Sequence, residues 1–473
     1  MAINRDQLMP FKFRQLDNEY LVTSLTGDFE FLTLEQLRHL VYSPNELEEN
    51  LKLQLKSKFF LLSNNAVGSK RALASRLHQK KSTILLGTAL HIIVPTLQCE
   101  HSCSYCQVSR SLEGEHHTIS HEDLIKACYT VFESTAENIT VEFQGGDPLI
   151  KFDLVKLAVE KINELNQQYH KHIRFVVTST LHQLDDNMCQ FFKDNQVYLS
   201  TSIDGELALH NQNRPIKGRN AYERTINGLK LARLYLGNDA ISALMTTTKN
   251  SLAYPEEIID QYVELGFHEI FIRSLSDYGF AKKNAQRLSY SNDEFIDFYQ
   301  KALNRVIHWN QQGYPLIEVN ASILLNKILS PFDSGYVDLQ SPTGAGLGAI
   351  VYNYDGFVYP SDESRMIAET GDTSLRLGKI GDSLSKLLNS SVQKSLIESS
   401  LNFINPTCCE CAYQPYCGLD PVSSYNEFGI LNPPVYMTHH CEKYKSLFDI
   451  IFKKLKQDEY FGKLALTWAL CKG

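Results

Sequence analysis

Cys99-Glu100-His101-Ser102-Cys103-Ser104-Tyr105-Cys106 is the stretch that decides the reading of this chain, with the spacing C-x3-C-x2-C. Three thiolates on one short loop can hold three irons of a cubane iron–sulfur cluster and leave the fourth iron without a protein ligand. An open iron can bind an amino and a carboxylate group at once and deliver an electron to the bound molecule. Spacing alone also admits zinc. A structural zinc site wants a fourth protein ligand, however, and His101 would have to supply it from inside the same tight loop.

Working outward, residues 90–94 read as an apolar strand ending just before the cysteines. Further strands are expected at 139–143, 174–178, 197–202, 240–246 and 269–275, with helices between them. Ser120 and Asp123 suggest a capping box on a helix over 120–132, whose apolar face takes in Leu124, Ile125, Cys128, Val131 and Phe132. Cys128, and Cys189 beside Leu184, Met188 and Phe192, therefore read as core residues. Pro255 opens another helix that Gly266 stops. Six strands alternating with helices predict a parallel sheet, open or partly closed into a barrel, with ligands at the C-terminal strand ends. Gln144-Gly145-Gly146-Asp147-Pro148 follows the second strand, where glycines let backbone approach a ligand. Thr178, Ser202 and Arg273 fall at later strand ends, where hydroxyls and a guanidinium suit a ribose and a carboxylate.

The 473 residues suggest two to four units at roughly 100–200 residues per domain, and 43% apolar against 21% charged residues is an ordinary globular mixture. A formal charge of -8 argues against non-specific nucleic-acid binding. No apolar run approaches the ~18 residues of a membrane span, and Met1-Ala2-Ile3-Asn4-Arg5-Asp6 does not open a secretory leader, so a cytoplasmic protein is expected. Residues 1–80 read as a winged-helix-like unit, a candidate peptide-recognition module, joined onward by a basic stretch over 70–81. The core is expected over 88–300, bridging helices over 301–330, and a cysteine-bearing region over 331–473.

The eleven cysteines are clustered, which without a secretion signal favours metal ligation over disulfides. Cys408, Cys411, Cys417 and Cys441 give C-x2-C-x5-C-x23-C, four soft ligands that suit either a [4Fe-4S] cluster or structural zinc. Cys409 is left over.

The first cysteine motif, with Tyr105 before its last cysteine, resembles that of the radical S-adenosylmethionine (SAM) superfamily. The resemblance implies a partial (β/α)6 radical SAM barrel, with Cys99, Cys103 and Cys106 on a [4Fe-4S] cluster that has an open iron. It further implies S-adenosylmethionine contacts from Gly145, Gly146, Asp147 and Pro148, from Ser202 on the fourth strand, and from Arg273. The C-terminal region resembles the SPASM extension of peptide-modifying radical enzymes and would carry one auxiliary [4Fe-4S] cluster. The family's other auxiliary site looks lost, since Ser361 and Pro421 stand where cysteines belong. Asp362 matches the aspartate that takes a proton in sulfatase-maturing relatives.

Stretches such as His210-Asn211-Gln212-Asn213-Arg214-Pro215, Ser341-Pro342-Thr343-Gly344-Ala345-Gly346 and Pro360-Ser361-Asp362-Glu363-Ser364-Arg365-Met366 are similar to the B-type radical SAM maturase of the His-Xaa-Ser peptide system. That likeness implies a small precursor peptide as substrate, an external low-potential electron donor and a second radical maturase alongside. A crosslink within the peptide is the expected product. Two alternatives stand beside it: sulfatase-maturase-like oxidation of one Cys or Ser in a protein target, and a non-catalytic, metal-stabilised binding protein.

Overall fold

The computed structural model of the chain describes residues 8–61, 66–111 and 116–470; the opening residues read above for a leader, and Cys471, lie outside them. Near the N-terminus, β1 (Phe11–Leu16), β2 (Glu19–Ser24) and β3 (Phe29–Leu32) form an antiparallel meander. Thr33 then caps the helix Leu34–Tyr42 in a reciprocal box with Gln36. Val22, Leu32, Leu37, Leu40, Leu55 and Phe60 give this unit its own small core. The basic stretch is helical, Ala66–Lys81.

Six parallel strands follow in sequential order: β4 (Leu90–Thr96), β5 (Asn138–Gly145), β6 (His172–Thr178), β7 (Val197–Ser202), β8 (Ile241–Thr246) and β9 (Glu269–Arg273). Parallel strands need crossovers, and the helices His121–Val131, Phe152–Tyr169, Asp186–Asp194, Ala221–Leu236 and Pro255–Glu264 supply them. Alternate residues of β5 (Ile139, Val141, Phe143) are buried in the main core against the helices, while Thr140, Glu142 and Gln144 fall on the opposite face. This is the expected partial (β/α)6 barrel, each strand within two residues of its expected bounds. Ser120 does cap its helix, its hydroxyl accepting from the Asp123 amide. The expected box is not reciprocal, because the Asp123 carboxylate accepts from the Ser120 hydroxyl instead of its backbone. Cys128 and Cys189 are fully buried.

The sheet continues past both ends of the six. β10 (Ile317–Glu318) pairs parallel with β9. On the other side β11 (Ala349–Tyr352) runs parallel to β4, followed antiparallel by β12 (Phe357–Tyr359) and β13 (Gly378–Lys379). Strands from the cysteine-bearing region thus cover the β4 edge, which would otherwise offer unpaired backbone groups. The chain closes with helices His439–Gln457 and Glu459–Leu470. The first packs against the N-terminal meander. Arg14 donates from two nitrogens to Asp449, and Phe29 lies edge-on to Phe452 at 5.1 Å. No helix among the described residues is long and apolar enough to cross a membrane.

Candidate functional site

The three-cysteine loop leaves β4 at the C-terminal mouth of the sheet, and backbone from four directions holds it. The Cys99 amide donates to Ser111 O at 3.1 Å, Ser102 to Pro215 O at 2.8 Å and Ser104 to Asn213 O at 3.2 Å. Cys106 O accepts from the Phe280 amide at 2.8 Å, and the Asn284 side chain donates to Ser104 O at 2.8 Å. From β5, the Gly146 amide donates to Thr96 O at 2.9 Å and the Asp147 amide to Gln98 O at 2.7 Å. The two glycines permit this. Gly145 has φ +133°, and a Cβ on Gly146 would lie 2.2 Å from Gln98 O. The glycine pair therefore seats the cysteine loop itself, a close approach of backbone to backbone.

The Asp147 carboxylate is buried and taken up by the end of β6. It accepts from Ser179 Oγ at 2.7 Å and from Thr180 Oγ1 at 2.5 Å. Burial pushes this carboxyl up, against the pull of those hydroxyls. Thr178 donates to Glu142 Oε1 at 2.7 Å. Ser202 ends β7 opposite Leu244 of β8.

The donor set suits a cluster with one open position. Cys99 is buried and Cys103 and Cys106 half-buried; burial pushes the Cys103 thiol up to about 12, and raises Cys99 further. Metal binding would drive the proton off such thiols. His101 is not placed as a fourth ligand: its Nε2 lies 3.3 Å from the His182 ring nitrogens, and Nδ1 faces Cys103 Sγ at 3.9 Å.

Arg273, at the end of β9, lines a cavity of about 560 Å³ between the barrel and the C-terminal region. Tyr278, Asp338, Glu363, Asp420 and Lys443 share its wall, none of them singled out for chemistry by the sequence. Burial, then the neighbouring carboxylates Asp338, Asp362 and Asp420, push Glu363 up to about 8. Asp362 opens the helix Asp362–Ala368, capped by Ser361, and its Oδ1 accepts from Arg365 Nε at 2.6 Å. Adjacent positions on one helical turn thus give one carboxylate tied to an arginine and one facing the cavity.

Cys408, Cys411, Cys417 and Cys441 line a second cavity, of about 380 Å³, with Phe13 and Arg14 of the N-terminal unit on its wall. Burial and the neighbouring thiols push Cys408 up to about 12. Cys409 stands apart, its Sγ donating to Phe403 O at 3.0 Å. Among the described residues no three Cys, His, Asp or Glu groups converge on one point as ligands of a single ion.

Residues 93–262 match the family model of the radical SAM superfamily. An uncharacterized protein of Methanothermobacter thermautotrophicus is 26% identical over 186 residues, 38% of this chain and 66% of that protein, just under two thirds of its length. A cysteine-type anaerobic sulfatase-maturating enzyme of Clostridium novyi is 22% identical over 76% of this chain and 93% of its own. Among solved structures, native anSMEcpe with bound AdoMet superposes with TM-score 0.66 at 18% identity, over 80% of this chain and 99% of that one. Streptococcus suis SuiB bound to precursor peptide SuiA gives 0.54 at 14% identity, over 90% and 97%. Strand order, cysteine loop and family match agree on the same stretch: residues 93–262 are similar to the radical SAM superfamily.

Proposed function

We propose that the protein is a maturase that oxidatively modifies a side chain of a peptide or protein. The observation that carries this reading is the cysteine loop seated by Gly145 and Gly146 at the mouth of six parallel strands, with a cavity of about 560 Å³ lined by Arg273, Glu363 and Lys443 on the same side of the barrel's last strand. Bound by Cys99, Cys103 and Cys106, a [4Fe-4S] cluster would supply the electron that cleaves S-adenosylmethionine to methionine and a hydrogen-abstracting 5′-deoxyadenosyl radical. The chain's own task is to place that cofactor, through Tyr105, Gly145 to Pro148, Thr178, Ser202 and Arg273, and to exclude water while substrate is held. Asp362 or Glu363 accepts the proton that leaves with oxidation. Cys408, Cys411, Cys417 and Cys441 hold an auxiliary [4Fe-4S] cluster as the electron's route out.

Two products fit this chemistry. Likeness to sulfatase-maturating enzymes over three quarters of the chain favours oxidation of a single Cys or Ser in a protein target. The N-terminal unit, with the likeness to SuiB over 90% of this chain, favours a small ribosomally made precursor peptide and a crosslink, as in the His-Xaa-Ser system. A leader strand would then add to the meander. Either reading needs an external low-potential donor to reduce the cluster before S-adenosylmethionine is cleaved; a second maturase and a cytoplasmic site of action belong to the second.

The test is anaerobic turnover of reconstituted enzyme with S-adenosylmethionine and dithionite. It is run against the product of the neighbouring small reading frame and against a sulfatase-derived Cys peptide. Release of 5′-deoxyadenosine with a hydrazide-reactive carbonyl supports single-residue oxidation. Loss of two hydrogens with fragment ions missing between two residues supports a crosslink. No 5′-deoxyadenosine from iron-loaded enzyme with either peptide would overturn the proposal.

A further inference from the structure

The stretch His210 to Pro215 carried a family likeness but no chemistry, and it contains the basic member of a buried charged network. Arg214 Nε donates to Tyr105 Oη at 2.7 Å, and Tyr105 Oη donates to Asp204 Oδ2 at 2.7 Å. Arg214 Nε lies 3.5 Å from the same Asp204 oxygen, with the two side chains 11% and 0% exposed. The guanidinium also sits 5.7 Å from the centre of the Tyr105 ring.

Three separate elements meet here. Tyr105 belongs to the cysteine loop, Asp204 lies two residues past β7, and Arg214 follows the helix Leu207–Asn213. The main chain beside Arg214 supports the loop too, since Asn213 O and Pro215 O accept the Ser104 and Ser102 amides. On the strand side, the Ile203 amide donates to Leu244 O at 2.9 Å and Ile203 O accepts from Tyr262 Oη at 2.9 Å. Asp204 is therefore held against β8 and the helix Pro255–Glu264.

Stability alone does not ask for charges here, because well-packed apolar side chains commonly replace a buried ion pair at no loss. What charges add is a field. Tyr105, whose hydroxyl bonds both charges, stands in the loop between Cys103 and Cys106, so Arg214 and Asp204 lie beside the place where those thiols would hold a cluster. Taking up an electron makes a thiolate-ligated cluster more negative, so a fixed cation favours the reduced form and a fixed anion the oxidised form. Burial leaves both only weakly screened.

We propose that Arg214, Tyr105 and Asp204 position the three-cysteine loop and set the reduction potential of a cluster held there, Arg214 raising it and Asp204 lowering it. This rests on the reading of Cys99, Cys103 and Cys106 as cluster ligands.

The experiment is an anaerobic redox titration of reconstituted full-length protein, followed by the reduced-cluster EPR signal. It is run on a background with Cys408, Cys411 and Cys417 changed to Ala so that one site reports. R214Q should shift the reduction equilibrium at least tenfold toward the oxidised form, about 59 mV for one electron, and D204N should shift it toward the reduced form. R214Q/D204N should return near the parent, and R214K should stay near it. A network that only braces the loop would move both single variants the same way. Equal-sign shifts, or less than a twofold change in either, overturn the proposal. If R214Q retains no iron, the shifts of D204N and R214K decide between the same two outcomes. A parent protein that takes up no iron sinks the reading of the cysteine loop instead.

Discussion

Replacing Gly146 by Ala tests how the cysteine loop is seated. The added Cβ would stand 2.2 Å from Gln98 O and 2.4 Å from Leu97 O, both backbone atoms that no rotamer change can move. An ordinary C···O contact is about 3.3 Å, so the loop leading into Cys99 must retreat by roughly 1 Å. The Asp147 N to Gln98 O bond, 2.7 Å here, would then open beyond hydrogen-bonding distance, and the 2.9 Å bond from Gly146 N to Thr96 O would be strained with it. Overpacking of this kind destabilises by about 1–3 kcal/mol, and each lost bond by a further ~1 kcal/mol. The expected total is about 2–5 kcal/mol, concentrated on the loop that carries the ligands. Gly462→Ala is the control. It lies inside the helix Glu459–Leu470 with nothing within 4 Å of the new Cβ, so the change should be neutral or stabilise by about 0.5–1 kcal/mol. Urea unfolding and iron per chain after reconstitution are the assays. Gly146→Ala protein as stable as wild type and holding the same iron would refute the idea that the glycine exists for close approach.

Cys408→Ala should lower reconstituted iron from about eight to about four atoms per chain, with Cys409→Ser leaving it unchanged, because only the first lines the four-thiol cavity. One zinc per chain in the wild type, lost in Cys408→Ala, would instead make that site structural. His91 is fully buried between Tyr352 Oη at 3.0 Å and Thr88 O at 3.1 Å, and burial holds its pKa down at about 4. Its ordinary value is 6.5, so between pH 6.5 and 4 the unfolded chain binds the extra proton and stability is lost as pH falls. From pH 7 to pH 5 this site should remove about 2 kcal/mol, a loss that His91→Gln lacks. Urea midpoints of metal-free protein at the two pH values measure the difference, and equal losses in both proteins would contradict the assignment.

Much of the barrel was legible because its signals are local. An apolar strand followed by C-x3-C-x2-C, a glycine pair after the next strand, and helical periodicity between strands each follow from neighbours in the chain. The helix cap at Ser120 was visible for the same reason, although its side-chain geometry departs from the expected box. The two-residue strands β10 and β13 carry no such signal, since pairing with a distant strand is all that defines them.

The sequence by itself determined which thiols share one short loop, and so the chemistry to expect of them, because ligand spacing on such a loop is a property of covalent structure. Only the tertiary structure decided what surrounds them. It brings Cys441, more than twenty residues along, to the cavity of Cys408, Cys411 and Cys417, and sets Phe13 and Arg14 from the far end of the chain on the same wall. It turns Glu363 to the cavity beside Arg273 while Arg365 takes Asp362, a division that two adjacent carboxylates in a sequence do not reveal. It closes Arg214 onto Tyr105, 109 residues away in the chain, with Asp204 completing the network. Such contacts depend on how strands stack and helices cross, and burial with neighbouring charges then shifts each group from its ordinary protonation.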